Sequence, residues 1–256
     1  MTMPTTQLAA QMYTLRDFCK TPKDLAESLV KVKKIGYDAV QISGVCPIEF
    51  SDLKKLLDDA GLACCATHIG YDRMKDEPEK VIQDHYVIEC KYAAIGGLPG
   101  SYRSPEGYAK FAKEATAVGR RLAQGGVLFG YHNHSFELER YDGRTGLAAL
   151  YEESDPAFFK AEIDTYWIQH GGGDPAWWID KLAGRIPLVH LKDMTVRDGK
   201  PIMAEVGEGN LNWPRIIDSC KKAGVEWYIV EQDTCERDPF ESLAISLRNL
   251  KSWGLR

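Results

Sequence analysis

The chain has no CxxC pair, no apolar run near the roughly 20 residues of a bilayer-spanning helix, no glycine-rich dinucleotide turn and no surplus of positive charge. Each absence removes a class of function. The seven cysteines (19, 46, 64, 65, 90, 220 and 235) form an odd set, which fits reduced thiols in a cytoplasmic protein better than a disulfide framework. A net charge of −5 argues against a broad nucleic-acid-binding face, so neither nucleic acid nor membrane is expected as a partner. The opening MTMPTTQLAAQMY has no basic start and no long apolar stretch, and no export signal is expected there. No linker or low-complexity segment interrupts the 256 residues, so residues 1–256 are read as a single domain.

What is present is a repeat of strand then helix. Apolar or β-branched runs occur at 7–13, 38–42, 62–67, 92–95, 126–132, 159–163, 186–191 and 226–230. Helix-like stretches follow at about 22–35, 49–60, 77–90, 104–124, 145–153, 174–183, 213–223 and 238–251. Thr21-Pro22, Ser104-Pro105, Asp174-Pro175 and Asp238-Pro239 place a capping side chain before proline at the first helical position. Gly36, Gly61, Gly184 and Gly224 mark helix exits. Eight such units without a composition break predict an α/β fold, a single-domain (β/α)8 TIM barrel. An open doubly wound sheet is the alternative; it would usually need fewer units and often shows a G-x-G-x-x-G turn after its first strand, absent here. Residues 135–146 read as a hairpin-like excursion with Asp142-Gly143 at its turn.

In such a barrel the reactive groups stand where strands run out into loops. Four strand-like segments, GVLFGYHNH, FKAEID, IPLVHLKD and WYIVEQD, end in His132, Asp164, His190 and Glu231, separated by 32, 26 and 41 residues. Two imidazoles and two carboxylates on a rigid rim suit one divalent ion of the Mn, Zn, Co, Fe or Mg type better than Ca²⁺. His68 and His134 also fall at or beyond strand ends, His170 in the loop after the sixth strand, and only His85 on a helix. Glu162 shares the parity of Asp164 and either supports a ligand from within or faces the helices in an ion pair. Lys192 shares the parity of His190; it would hold a substrate oxygen or pair with Asp193 or Glu208. His134 and Glu137 are candidates for general acid or base. Trp167, Trp177, Trp178 and Trp213 lie in or near loops at this end, and Glu205-Val206-Gly207-Glu208-Gly209 reads as a loop bringing backbone close to the site or as a plain turn.

Over essentially its whole length the chain resembles the xylose-isomerase-like TIM barrels, which include sugar isomerases, epimerases and inosose dehydratases. The resemblance rests on GYHNHSFE (130–137), EIDTYW (162–167), VHLKDM (189–194), EVGEG (205–209) and VEQD (230–233). It implies one divalent metal held by a glutamate of strand five, an aspartate of strand six, a histidine of strand seven and a glutamate of strand eight. The last three fall on Asp164, His190 and Glu231. Where many members read Glu-Asn-His, this chain reads His132-Asn133-His134, so either His132 replaces the glutamate, or Glu137 reaches back, or the site is depleted. Trp167 stands where many epimerases carry histidine, and Gln41 where glutamate is common.

The resemblance implies a metal-dependent sugar isomerase or epimerase that abstracts a proton α to a carbonyl through a metal-stabilised enediolate. The expected catalytic residues are Glu231, His134, Glu137 and Lys192, with His68, Gln41, Trp167 and Glu208 against the substrate. An inosose or 3-keto-glycoside dehydratase or lyase on the same metal site is the runner-up, and a non-enzymatic binding protein on a retired barrel the third reading. The partner expected is a small sugar or cyclitol. A homo-oligomer is compatible, since barrels of this kind often pair through loops and outer helices.

Overall fold

The structure, a computed structural model, describes residues 7–256; the opening six residues of the 1–256 reading lie outside the described residues. Eight parallel strands close into one barrel: β1 Leu8–Gln11, β2 Ala39–Ile42, β3 Ala63–His68, β4 Tyr92–Ile95, β5 Leu128–His132, β6 Lys160–Asp164, β7 Leu188–Leu191 and β8 Trp227–Val230. Each pairs with its neighbours in chain order and β8 closes onto β1. Helices return the chain on the outside, and the aliphatic and aromatic faces between strands and helices form the main core.

Side-chain alternation divides the barrel interior into two tiers. Ala9, Ala39, Ala66, Tyr92, Leu188 and Ile229 pack as a separate apolar group low in the barrel. Two residues further along their strands, at the same parity, Gln11, Gln41, His68, His190 and Glu231 replace them. The upper tier is therefore polar, and its groups must satisfy one another or a ligand.

The anticipated helix starts are present. Thr21, Ser104, Asp174 and Asp238 each accept a first-turn backbone N–H ahead of proline. Gly61 and Gly224 end their helices at φ of 69° and 77°, a conformation that disfavours any Cβ. Several elements were not anticipated, among them the 3-10 turns Gly100–Tyr102 and Phe136–Leu138. Met12–Phe18 forms a 3-10 turn after β1, and short helices occupy Tyr71–Asp76 and Thr165–His170. His170 thus ends a helix instead of lying in a loop. An antiparallel hairpin, Asp193–Arg197 with Lys200–Ala204, rises from the end of β7. The smaller excursion after β5 pairs Arg140–Tyr141 with Arg144–Thr145, and Asp142 and Gly143 turn at positive φ. All seven cysteines are free thiols. No helix among the described residues is long and apolar enough to cross a membrane.

Candidate metal centre and active site

β5, β6, β7 and β8 are consecutive neighbours in the closed sheet, with Asp164 opposite His190 in register and His132 opposite Glu162. Their ends bring together four buried side chains, His132, Asp164, His190 and Glu231, each offering one donor atom, all within 4.8 Å of one another. His132 Nε2 lies 3.3 Å from Asp164 Oδ2, and His190 Nδ1 lies 3.0 Å from Glu231 Oε2 and 3.9 Å from Asp164 Oδ2. A first-row divalent ion with bonds near 2.1 Å spaces its ligands about 3 to 4 Å apart, so the donor set fits such an ion.

The outer nitrogens of both imidazoles fix which nitrogen faces the ring. His132 Nδ1 is directed at the Gly96 carbonyl oxygen (3.3 Å), leaving Nε2 inward. His190 Nε2 meets Gln41 Oε1 at 2.6 Å and Glu162 Oε1 at 3.3 Å, leaving Nδ1 inward. Such outer partners hold metal-binding histidines in one tautomer and orientation. Asp164 divides its two oxygens. Oδ1 accepts from Trp167 N (2.9 Å) and caps the helix Thr165–His170, while Oδ2 faces the ring; its own N–H donates to Asn133 Oδ1.

Glu162 is turned inward, which resolves its two alternatives. It accepts from His68 Nε2 (2.7 Å) and Gln41 Nε2 (2.7 Å), and Gln11 Nε2 donates to Gln41 Oε1 at 2.8 Å. His68, with Ser43 Oγ near its Nδ1, thereby joins the base of the ring, its imidazole stacked 5.6 Å from that of His190. Burial alone would push the Glu162 carboxyl up, but His190 and His68 overcome it and hold it below the ordinary carboxylate range. The same pairing, with Glu231, carries His190 up to about 10 against its burial. Burial also opposes ionisation of Asp164 and Glu231, and Lys192 foremost reverses this, holding both low. Three carboxylates (Asp164, Glu231 and Asp233) thus face one lysine, and Glu162 lies against His190 behind them, a surplus of negative charge that favours a dication.

Lys192 is fully buried. Its Nζ lies 2.6 Å from Asp233 Oδ2, 3.1 Å from Glu231 Oε2 and 3.5 Å from Asp164 Oδ2. Neither Asp193 nor Glu208 is its partner. Alternation sends Asp193 to the opposite face, where its carboxylate accepts from the backbone of Met194, Gly207, Gly209 and Leu211 and from Trp213 Nε1. Glu208 is exposed and accepts from Asn249 on the last helix, away from the ring. The substrate contact expected of it is not supported by this placement.

Glu137 is also not brought to the ring. After His132 the chain leaves the strand and enters a 3-10 turn at Phe136–Leu138, so strand parity no longer applies. The fully buried carboxylate accepts from Tyr131 Oη (2.7 Å) and from the backbone N–H of His134 (2.9 Å), and burial pushes it up to about 7. Tyr131 points outward into the strand–helix core. Of the two, His132 and not Glu137 is the strand-five side chain in the cluster that could hold an ion.

His134 and Trp167 form the wall above the ring, their rings 5.2 Å apart, with Lys192 Nζ 5.1 Å from the indole. His134 Nδ1 and Trp167 Nε1 are buried with no hydrogen-bond partner. Unmatched buried polar atoms beside this ring suit a hydroxylated ligand. Burial lowers His134 to about 3, so its imidazole is neutral near pH 7. A Cβ on Gly96 would lie 3.0 Å from His68 Nδ1, and one on Gly97 3.2 Å from His134 Cε1. The loop after β4 thus packs directly on two of the site histidines. Trp178 is buried in its helix and Trp177 lies outside the ring, against the hairpin after β5. His85 is structural, its ring between Thr67 Oγ1 and the Val81 carbonyl.

Residues 29–253 match the model of the xylose isomerase-like TIM barrel family. The chain belongs to that family. Among curated proteins it is 24% identical to the rhizopine catabolism protein MocC of Rhizobium meliloti, over 84% of this chain and 75% of that protein. It is 26% identical to an inosose dehydratase of Mesomycoplasma hyopneumoniae, over 59% of this chain and 57% of that protein. Among solved structures, a sugar phosphate isomerase/epimerase from Parabacteroides distasonis superposes with a TM-score of 0.82 at 23% identity, covering 98% of this chain and 95% of that one. An L-ribulose 3-epimerase gives 0.72 at 15% identity, with 98% and 95% covered. These superpositions establish the shared barrel. Against the pattern of xylose isomerase-like barrels, this chain departs at β5, where His132 stands in the ring and no carboxylate joins it from that strand.

Asp233 and Gln11 were not singled out from sequence, and Asp193 entered there only as a partner for Lys192. Gln11 and Gln41 carried a usable signal, each being a polar residue at inward parity at the end of an apolar strand. Asp233 carried none, since it lies in an irregular loop after β8.

Proposed function

We propose that the protein is a divalent-metal-dependent enzyme acting on a keto-sugar or keto-cyclitol, removing the proton α to the carbonyl and expelling the β-substituent as a dehydratase or lyase. One observation favours this over symmetric epimerisation. Epimerisation through two carboxylates needs one on each face of the substrate, and the β5 side offers histidines while Glu137 is committed to Tyr131 and the backbone. A divalent ion held by His132, Asp164, His190 and Glu231 would polarise the substrate carbonyl and acidify the neighbouring C–H.

Glu231 keeps Oε2 on Lys192 and His190, while Oε1 has no partner among the described residues and is the oxygen available to take the α-proton. The electron pair of that C–H forms the new double bond, and the departing β-oxygen needs a proton. The proton taken up by Glu231 is proposed to pass to that oxygen as it leaves, so that water or an alcohol departs, while neutral His134, whose ring stands 5.1 Å from that of His132, hydrogen-bonds it. The open nitrogens of His134 and Trp167 would orient the substrate hydroxyls. The names of the curated relatives, a rhizopine catabolism protein and inosose dehydratases, agree with a cyclitol-like substrate. Seven free cysteines agree with a reducing, cytoplasmic setting.

Return of the abstracted proton to the neighbouring carbon would instead give the isomerase or epimerase. The two outcomes separate in one experiment: Mn²⁺-loaded protein is incubated with inososes, 3-keto-glycosides and ketoses in D₂O and followed by mass spectrometry. Loss of water or aglycone is the expected result. Deuterium uptake without loss would assign the isomerase instead, and neither event across the panel would refute both.

A further inference from the structure

We propose that Asp233 is a positioning residue: it holds the Lys192 ammonium to one side of the ring and thereby sets how tightly the ring binds a divalent ion. This rests on the ring being a metal site. Of the three carboxylates around Lys192 Nζ, Glu231 and Asp164 belong to the ring, and the oxygens nearest the ammonium, Oε2 and Oδ2, are the ones that face His190 and His132. An ammonium and a dication drawing on the same two oxygens compete. Asp233 is outside the ring and makes the shortest contact, 2.6 Å.

The base of the lysine is fixed. Its N–H donates to Thr165 Oγ1 at 3.0 Å, and that hydroxyl lies 2.9 Å from the Lys192 carbonyl oxygen. The lysine side chain is fully buried while that of Asp233 is 26% exposed, so the freedom that remains to Nζ is which of the three carboxylates it leans towards. Asp233 is itself held in place from the 3-10 turn after β1. Arg16 donates to its carbonyl oxygen (2.8 Å), and Thr14 Oγ1 accepts from Gln232 N (3.0 Å). Without the Asp233 carboxylate, Nζ turns to Glu231 and Asp164 and places its charge on the oxygens the ion needs. Loss of Asp233 therefore weakens metal binding through Lys192, and loss of Lys192 strengthens it.

The test is a double-mutant cycle of Mn²⁺ affinity, measured by calorimetry on metal-free full-length protein. Asp233→Asn is expected to weaken Mn²⁺ binding by about tenfold or more, and Lys192→Met to tighten it. In the Lys192→Met background the effect of Asp233→Asn is expected to shrink to about threefold or less, the residue of its own charge. An equal effect of Asp233→Asn in both backgrounds would overturn the positioning role, as would a Lys192→Met protein that binds Mn²⁺ no more tightly than the parent. Lys192→Gln serves in the same comparison if the methionine variant does not fold. A parent protein that binds no Mn²⁺ would refute the metal site itself and the positioning role with it, a result distinct from an additive cycle.

Discussion

Replacing Glu137 with glutamine tests whether this carboxylate is a buried structural group or a member of the reactive ring. Between the ordinary glutamate value of 4.5 and its folded value of about 7, the folded chain keeps a proton that the unfolded chain has released. Stability from this group is therefore fully present below 4.5 and is lost as the pH rises through about 7. At roughly 1.4 kcal/mol per unit, that gap comes to about 3 kcal/mol. Glutamine has nearly the same shape and does not titrate. Its carbonyl can accept from His134 N–H while its amide donates to the Tyr131 hydroxyl, so both contacts survive with one reversed. Urea unfolding of parent and Glu137→Gln across this range should show the variant gaining about 3 kcal/mol relative to the parent as the pH rises. Mn²⁺ affinity should stay within about threefold. A stability difference that does not change with pH would show that Glu137 is ionised in the fold like a surface carboxylate. Collapse of Mn²⁺ binding in the variant would place Glu137 on the ion and displace His132 from the ring.

Asp164→Asn should lower Mn²⁺ affinity by about a hundredfold or more while moving stability by less than about 1 kcal/mol, because asparagine still caps the helix Thr165–His170; calorimetry and thermal unfolding read the two effects separately. Gln41→Glu should cost about 2 to 4 kcal/mol near pH 7 and less in acid, since it sets a second carboxylate 2.7 Å from that of Glu162; urea midpoints at two pH values check it. Gly209→Ala should destabilise by about 2 kcal/mol or more and open the loop 205–213 to protease, because the new Cβ would overlap the Asp193 carboxylate and lie 2.6 Å from the Met194 carbonyl oxygen.

Much of this was legible in the sequence because barrel geometry converts strand ends into a ring. The ends of β5 to β8 fall within about a residue of where apolar runs give way to His132, Asp164, His190 and Glu231, and side-chain parity put all four on one face. Parity also placed Lys192 on the same side as His190, but it could not name the partner. Asp233 reaches Lys192 from a loop whose course is set by Arg16 and Thr14, more than 200 residues away in the chain. Glu137 was ambiguous for the same reason, since its direction depends on the 3-10 turn and not on the strand. The hairpin after β7 went unseen because Asp193–Arg197 and Lys200–Ala204 are half exposed and have no apolar run of their own.

Lys192 and Asp193, the first two residues beyond β7, turn to opposite faces and suggest how this barrel can be diversified. Lys192 belongs to the ring of buried side chains, while Asp193 gathers four backbone N–H groups and one indole and so fastens the loop 205–213 from outside. Because that carboxylate grips the loop through backbone N–H groups, with Ser246 and Asn249 holding Val206 as well, exposed side chains of the loop can be randomised without touching the ring, provided Gly207, Gly209 and the aspartate stay. A library built on Glu208 and Asn210 would thus vary this outer loop around a constant ring, whereas one that includes Asp193 would discard most of its members through loss of the fold.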